Sequence, residues 1–235
     1  MLGLGNSLTG GSSPSILLPS DVSDLAFWFK NGTNVAAARW DDSSGNNNHM
    51  AQSTSGNQAS VSGGGLLFVD DNSDHYDLTT AVNIGASNAF TMICVMKLNS
   101  YDSQNMILGD NNELDKFLDM QNTDQMRYRQ SGTAAVLKFE DSNNFPIEST
   151  YMITVTKDTS RNLVVYKNGT VLAQESSTGT PVASGAFSVD QIGGRGSTPD
   201  RDFDGHIYEL LLYEKLLSTD ELSGVHSEIQ ARIGF

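Results

Sequence analysis

The residues of this chain that could do chemistry are mainly carboxylates and arginines, and their spacing limits what they can do. Asp200-Arg201-Asp202-Phe203-Asp204-Gly205 places acids at alternate positions ahead of a glycine. That is the pattern of the first six positions of an EF-hand loop, where acids at 1, 3 and 5 coordinate calcium and the glycine turns the chain. Position 12 is Leu211 instead of Glu, and an apolar run follows at once. Asp200, Asp202 and Asp204 are therefore candidate calcium ligands, set against a turn in which Asp202 and Asp204 cap backbone amides with Arg195 or Arg201 as charge partners. Calcium is the one cofactor the residues suggest. Sugar recognition needs an aromatic ring beside planar polar groups. Tyr101 in Asn-Ser-Tyr-Asp-Ser-Gln-Asn, and Tyr128 between Arg127 and Arg129, are the candidates. Strand alternation places Arg127 and Arg129 on one face and Tyr128 on the other. A binding face would use either the arginine pair or Tyr128, with Arg195 as a further donor.

Other reactive patterns are missing. There is no G-x-S-x-G, no histidine pair at metal spacing and no phosphate-cradling glycine loop. The four histidines are scattered, and His226 beside a helix stripe is expected to be partly exposed. With 28 acidic against 14 basic residues and a net charge of −14, nucleic acid is not an expected partner. The single cysteine, Cys94, allows no internal disulfide and sits in an apolar run as a small hydrophobe. No apolar run approaches the ~20 residues needed to cross a bilayer, and the opening MLGLGNSLTGG lacks the basic start of a Sec signal.

The elements that would position these residues are short strands. Apolar runs separated by Gly, Asn, Ser and Asp clusters predict a dozen or so strands without βαβ alternation. Ala89–Leu98 is apolar on both faces and reads as a central strand. Tyr151–Lys157, Leu163–Tyr166 and Val171–Ala173 read as a hairpin series, with Asn168-Gly169 as the second turn. His206–Tyr213 is the last strand. Ser218 and Glu221 form a capping box, Leu217 and Leu222 a hydrophobic staple, and Leu222, Val225, Ile229 and Ile233 one apolar stripe ending at Gly234. The expected fold is all-β: a two-sheet antiparallel jelly-roll sandwich (residues 21–235) with one C-terminal α-helix, behind a Gly/Ser-rich docking arm (1–20). Asp41 to Asn48 reads as structural Asx turns, and Trp28 and Trp40 as core.

Four segments carry a resemblance. AFWFK…ARWDDSSGNNNHM, FTMICVMKL, YMITVTKDTSRNLVVYKNGTVLA and IGGRG…FDGHIYELLLYEKLLSTDEL together resemble, in order, the laminin-G-like, concanavalin A-like lectin/glucanase domains, over roughly residues 24–235. That family hosts carbohydrate binding, adhesion, virion modules and some glycoside hydrolases, and fold does not choose among them. In its laminarinase-type members the resemblance implies E-x-D-x-E or E-x-D-x-x-E on one strand. Here Glu113 and Asp115 match, positions 117 and 118 are Phe and Leu, and Asp119 falls one step too far. A retaining glycosidase needs two carboxylates about 5–5.5 Å apart, so no enzyme is expected. MLGLGNSLTGGSS is similar to the opening of tailed-phage structural proteins. It implies a non-enzymatic virion surface protein, capsid decoration or fibre, made in the host cytoplasm, with other virion proteins as partners of the arm. A host polysaccharide and a homo-oligomer are further expected partners. The alternative is an extracellular carbohydrate-binding or adhesion module of a bacterial surface, and a glycoside hydrolase is the third reading.

Overall fold

Short β-branched and aromatic runs between positive-φ turns can bury their apolar faces only by pairing and stacking. They form two antiparallel sheets in the computed structural model, which describes residues 16–101, 104–196 and 202–235. The eight-stranded sheet runs in the order Thr170–Val171, Leu163–Lys167, Tyr151–Lys157, Phe90–Leu98, Gly205–Tyr213, Gly65–Phe68, Ser60–Ser62. Leu25–Phe29 also pairs with Gly205–Tyr213. The ten-stranded sheet runs Gln174–Thr178, Ala135–Phe139, Gln125–Arg129, Glu113–Asn122, Asn105–Asp110, Phe187–Ile192, Tyr76–Ile84, Met50–Ala51, Arg39–Trp40, Val35–Ala36.

Between the sheets lies an aromatic-rich core that includes Phe27, Phe29, Trp40, Phe68, Phe90, Tyr128, Phe139 and Phe187, all fully buried. The C-terminal helix Thr219–Ile233 covers the outer face of the eight-stranded sheet. Leu222, Val225 and Ile229 pack there on Trp28, Ile93, Val95, Met152 and Leu211. Each such aliphatic side chain contributes about 1.5–3 kcal/mol on burial. This second layer explains why Phe90–Leu98 is apolar on both faces. The capping box is present in both directions, with Glu221 N donating to Ser218 Oγ at 3.3 Å and Ser218 N to Glu221 Oε2 at 2.9 Å. Gly234 closes the helix at φ 81°. Cys94 lies inside the sandwich, its thiol pushed up by burial.

Trp28 belongs to the helix-facing layer and Trp40 to the inter-sheet core, so both are core residues. Asp42 accepts from Trp28 N (2.8 Å), Ser44 N (2.8 Å) and Asn48 N (3.0 Å), which makes the acidic Asn-rich loop a structural clasp. Leu17 N donates to Gly224 O at 3.3 Å and Tyr213 Oη to Pro19 O at 3.1 Å, so the described end of the expected arm lies on the helix layer. Residues 1–15 of that arm lie outside the described residues. No described helix is long and apolar enough to cross a membrane.

One buried charge locks the helix to the sheet. Glu209, fully buried, accepts from Trp28 Nε1 (2.8 Å), Asn31 N (3.1 Å), Arg232 Nη1 (2.8 Å) and Arg232 Nη2 (2.6 Å). Burial alone would lower the Arg232 guanidinium, but the hydrogen bonds and charges of Glu209 and Glu228 outweigh it and hold it above its ordinary value.

Candidate functional site: the outer face of the ten-stranded sheet

The pleat sorts Gln125–Arg129 and Glu113–Asn122 into two faces. Leu118, Met120, Met126 and Tyr128 point into the inter-sheet core, leaving Asp115, Phe117, Asp119, Arg127 and Arg129 on the outer face. Asp119 stands opposite Arg127, and Phe117 opposite Arg129. Arg127 grips the Asp119 carboxylate with both arms of its guanidinium, Nε to Oδ1 at 3.0 Å and Nη2 to Oδ2, and Nη2 also reaches Gln104 Oε1. Arg129 Nη1 donates to Asp115 Oδ1 at 2.6 Å.

The third arginine arrives from the loop after Phe187–Ile192. Its guanidinium carbon is 4.7 Å from the Phe117 ring centroid, while that of Arg127 is 5.1 Å away, and Arg195 Nη1 donates to Leu114 O. Gly109 permits this approach, since a Cβ there would lie 2.1 Å from Gly194 O and 2.9 Å from the Arg195 Cβ. Phe117 is thus only 2% exposed, clasped by two cations on an otherwise polar face.

Beside this cluster lies a group of carboxylates. Burial, with the charges of Asp110 and Asp77, holds the Asp190 carboxyl above the usual range, against the pull of the Asn111 N–H, which donates to its Oδ1 at 2.7 Å. Asp110 Oδ1 accepts from Asn112 N at 3.0 Å, and its Oδ2 lies 3.8 Å from Lys116 Nζ. Gln191 Nε2 donates to Asp77 Oδ1 at 3.2 Å. Each of these acids already holds a neighbour. Asp119 is wholly buried and Arg195 is 5% exposed, so what the face offers outward is the exposed Asp115 carboxylate with the partly exposed side chains of Arg127 and Arg129, held by their ion pairs in fixed positions that suit hydrogen bonding to hydroxyls.

The structure brings Arg127, Arg129 and Arg195 together around Phe117. It corrects the two tyrosines. Tyr128 is fully buried between Phe90 and Phe187, its hydroxyl donating to Gln130 Oε1 at 3.0 Å, because the strand must give its apolar side to the core. Tyr101 turns inward against the same core and donates to Phe145 O at 2.6 Å, so neither ring is an open platform. His226 is also corrected: it is 4% exposed, and burial pushes its imidazole down to about 4.

Of the calcium candidates, Asp200 lies outside the described residues. Asp202 is buried, and Asp204 Oδ1 accepts from Asn99 Nδ2 at 3.3 Å. Among the described residues no three His, Cys, Asp or Glu side chains converge as a metal would require. Glu113 and Asp115 are exposed at the strand's start, as surface groups. Sequence reasoning missed Phe117 and Asp119 as members of the arginine cluster. The signal was there in the alternation, since Phe117 interrupts an outward polar row that Asp119 resumes.

Residues 70–223, well over half of the chain, match a family model described as the concanavalin A-like lectin/glucanases superfamily. Among solved structures, Trypanosoma rangeli sialidase in complex with the inhibitor DANA is similar at a TM-score of 0.61 and 17% identity, over 95% of this chain and 36% of that one. The same sialidase in complex with 2,3-difluorosialic acid (covalent intermediate) gives 0.60 and 18%, over 94% and 37%. The chain therefore spans little more than a third of the sialidase's length, and the likeness is one of fold. The CBM40 of Ruminococcus gnavus IT-sialidase, bound to alpha2,3 sialyllactose, gives a TM-score of only 0.43 at 16% identity, over 65% of this chain and 95% of that one. A comparison with curated proteins finds no match.

Proposed function

The chain belongs to the concanavalin A-like lectin/glucanases superfamily, and from that premise we propose that it recognises carbohydrate without cleaving it. The observation that carries this reading is the outer face of the ten-stranded sheet, where Arg127, Arg129 and Asp115 are fixed by ion pairs over a support made of the buried Phe117 and Arg195. Polar groups fixed before the ligand arrives lose little freedom on binding. The face suits a neutral glycan: Asp119 and Asp115 match the charges of Arg127 and Arg129, and a net charge of −14 opposes an anionic chain. Similarity to a sialidase supports the fold and leaves the ligand to these residues. A glycan array that includes neutral and sialylated chains tests the assignment, with neutral polysaccharide as the expected hit.

The place of action we propose is a virion surface, as capsid decoration or fibre, on the resemblance of the opening MLGLGNSLTGGSS to tailed-phage structural proteins. Mass spectrometry of purified particles should find the chain; its absence from them would favour an extracellular bacterial module. One observation favours a hydrolytic alternative, the Asp190 carboxyl held above the usual range near Asp110 and Asp77, as a general acid requires. Against it, Asp190 and Asp110 are occupied by backbone amides. A reducing-sugar assay on laminarin and related glucans decides between them, and no release is expected.

A further inference from the structure

The opposite side of the sandwich holds a cavity between the C-terminal helix and the hairpin made by Leu163–Lys167 and Thr170–Val171. Its volume is about 370 Å³, within the range of about 300–1,000 Å³ usual for small-ligand sites. We propose that this groove is a separate binding site for a single neutral pyranose ring.

The argument begins with charge. In a chain of net charge −14, no side chain lining the groove is charged at neutral pH. The one titratable base there, His226, stays neutral because burial pushes it down to about 4. The walls carry hydroxyls and amides instead: Asn168 from the hairpin, with Ser223, Ser227 and Gln230 from successive turns of the helix. Leu217 and Leu222 supply the groove's aliphatic lining. Such a lining rejects ions, which would lose their hydration without gaining a counter-charge. It accepts a ligand that is polar at its rim and apolar on its face.

One aromatic ring supplies that face. Tyr166 is half-buried beside the groove, its ring 6.4 Å from the His226 ring at 65°. A pyranose presents an apolar C–H face to such a ring and hydroxyls around its edge. His226 adds directed polarity. Its Nε2 is held 2.8 Å from Thr154 Oγ1, which fixes the ring, and its Nδ1 lies beneath Gly169, where a Cβ would be 3.4 Å away. Gly169 also meets the turn's need for positive φ (83°). Gln230, which lines the groove, is anchored by its Nε2 to Asn168 O at 3.4 Å.

The test uses the full chain. Methyl α-D-mannopyranoside, methyl β-D-galactopyranoside, methyl β-D-glucopyranoside and N-acetyl-D-glucosamine are titrated by calorimetry and saturation-transfer NMR, with sodium glucuronate as the charged control. At least one neutral ring should bind and perturb the Tyr166 and His226 resonances. Tyr166→Ala should weaken that binding about tenfold through loss of the stacked face. Ser223→Trp, at an exposed helix position that leaves the fold intact, should abolish it by filling the groove. No binding by any neutral ring would overturn the proposal. So would binding that survives Ser223→Trp, or glucuronate binding as tightly as the neutral rings.

Discussion

Replacing Arg232 by alanine should destabilise the fold by about 3 kcal/mol. Glu209 is wholly buried, and two of its four donors belong to Arg232, at 2.8 and 2.6 Å. Removing one member of a buried ion pair typically costs 3–5 kcal/mol, because the remaining charge is left uncompensated. Two features place this case at the low end. Trp28 Nε1 and Asn31 N continue to donate to Glu209, and the Arg232 side chain keeps 24% exposure, so water screens part of the vacated charge. The variant also loses the contact with Glu228 at 2.8 Å and the approach of the guanidinium to the Trp28 ring at 5.8 Å. In a domain of this size each kcal/mol shifts Tm by roughly 2–4 °C, so a fall of about 6–12 °C is expected. Thermal and urea unfolding at neutral pH measure it. The double variant Glu209→Gln, Arg232→Met should recover much of the loss, since it removes the stranded charge as well. A fall in Tm below about 2 °C for Arg232→Ala, or a double variant worse than the single, would refute the reasoning.

Three further outcomes follow from the same geometry. The His226 imidazole sits at about 4 in the folded chain against an ordinary 6.5, so between those values the unfolded chain binds more protons and stability falls as pH drops; the total is about 3 kcal/mol, read as a steeper fall in urea midpoint for wild type than for His226→Asn. Tyr128→Ala should open a core cavity and lose about 3–5 kcal/mol in chemical unfolding, the behaviour of a packing residue. Gly109→Ala should drive the Gly194–Arg195 backbone off the sheet, destabilising by about 1–3 kcal/mol and weakening polysaccharide retention on an affinity gel.

What the sequence made legible was local. The capping box of Ser218 and Glu221, the stripe of Leu222, Val225 and Ile229, and the double-sided apolarity of Phe90–Leu98 are all readable within one element, and the structure keeps each. Gln174–Thr178 was not legible, because an edge strand exposed along its whole length carries no apolar alternation. Alternation separated Tyr128 from Arg127 and Arg129, but it could not say which side met the other sheet. Phe117, Arg127 and Arg195 converge through cross-strand register and a loop crossing over Gly109, and Glu209 meets Arg232 only once the helix lies on the sheet. These are long-range facts that no window of sequence contains. His226 sits one position from Val225 on the buried stripe, and its burial was decided by Thr154 and Tyr166 of the hairpin against which the helix lies.

The central claim is recognition of neutral carbohydrate without hydrolysis through the sheet face, and one experiment addresses both halves. Purified chain is incubated with neutral polysaccharides, and retention and released reducing ends are measured in the same samples for wild type and Arg129→Ala. That variant leaves its partner Asp115 solvated, the Asp115 side chain being 64% exposed, and so spares the fold. Retention by wild type without new reducing ends, weakened in Arg129→Ala, is the predicted result. Release of reducing ends, or retention indifferent to Arg129, would contradict it.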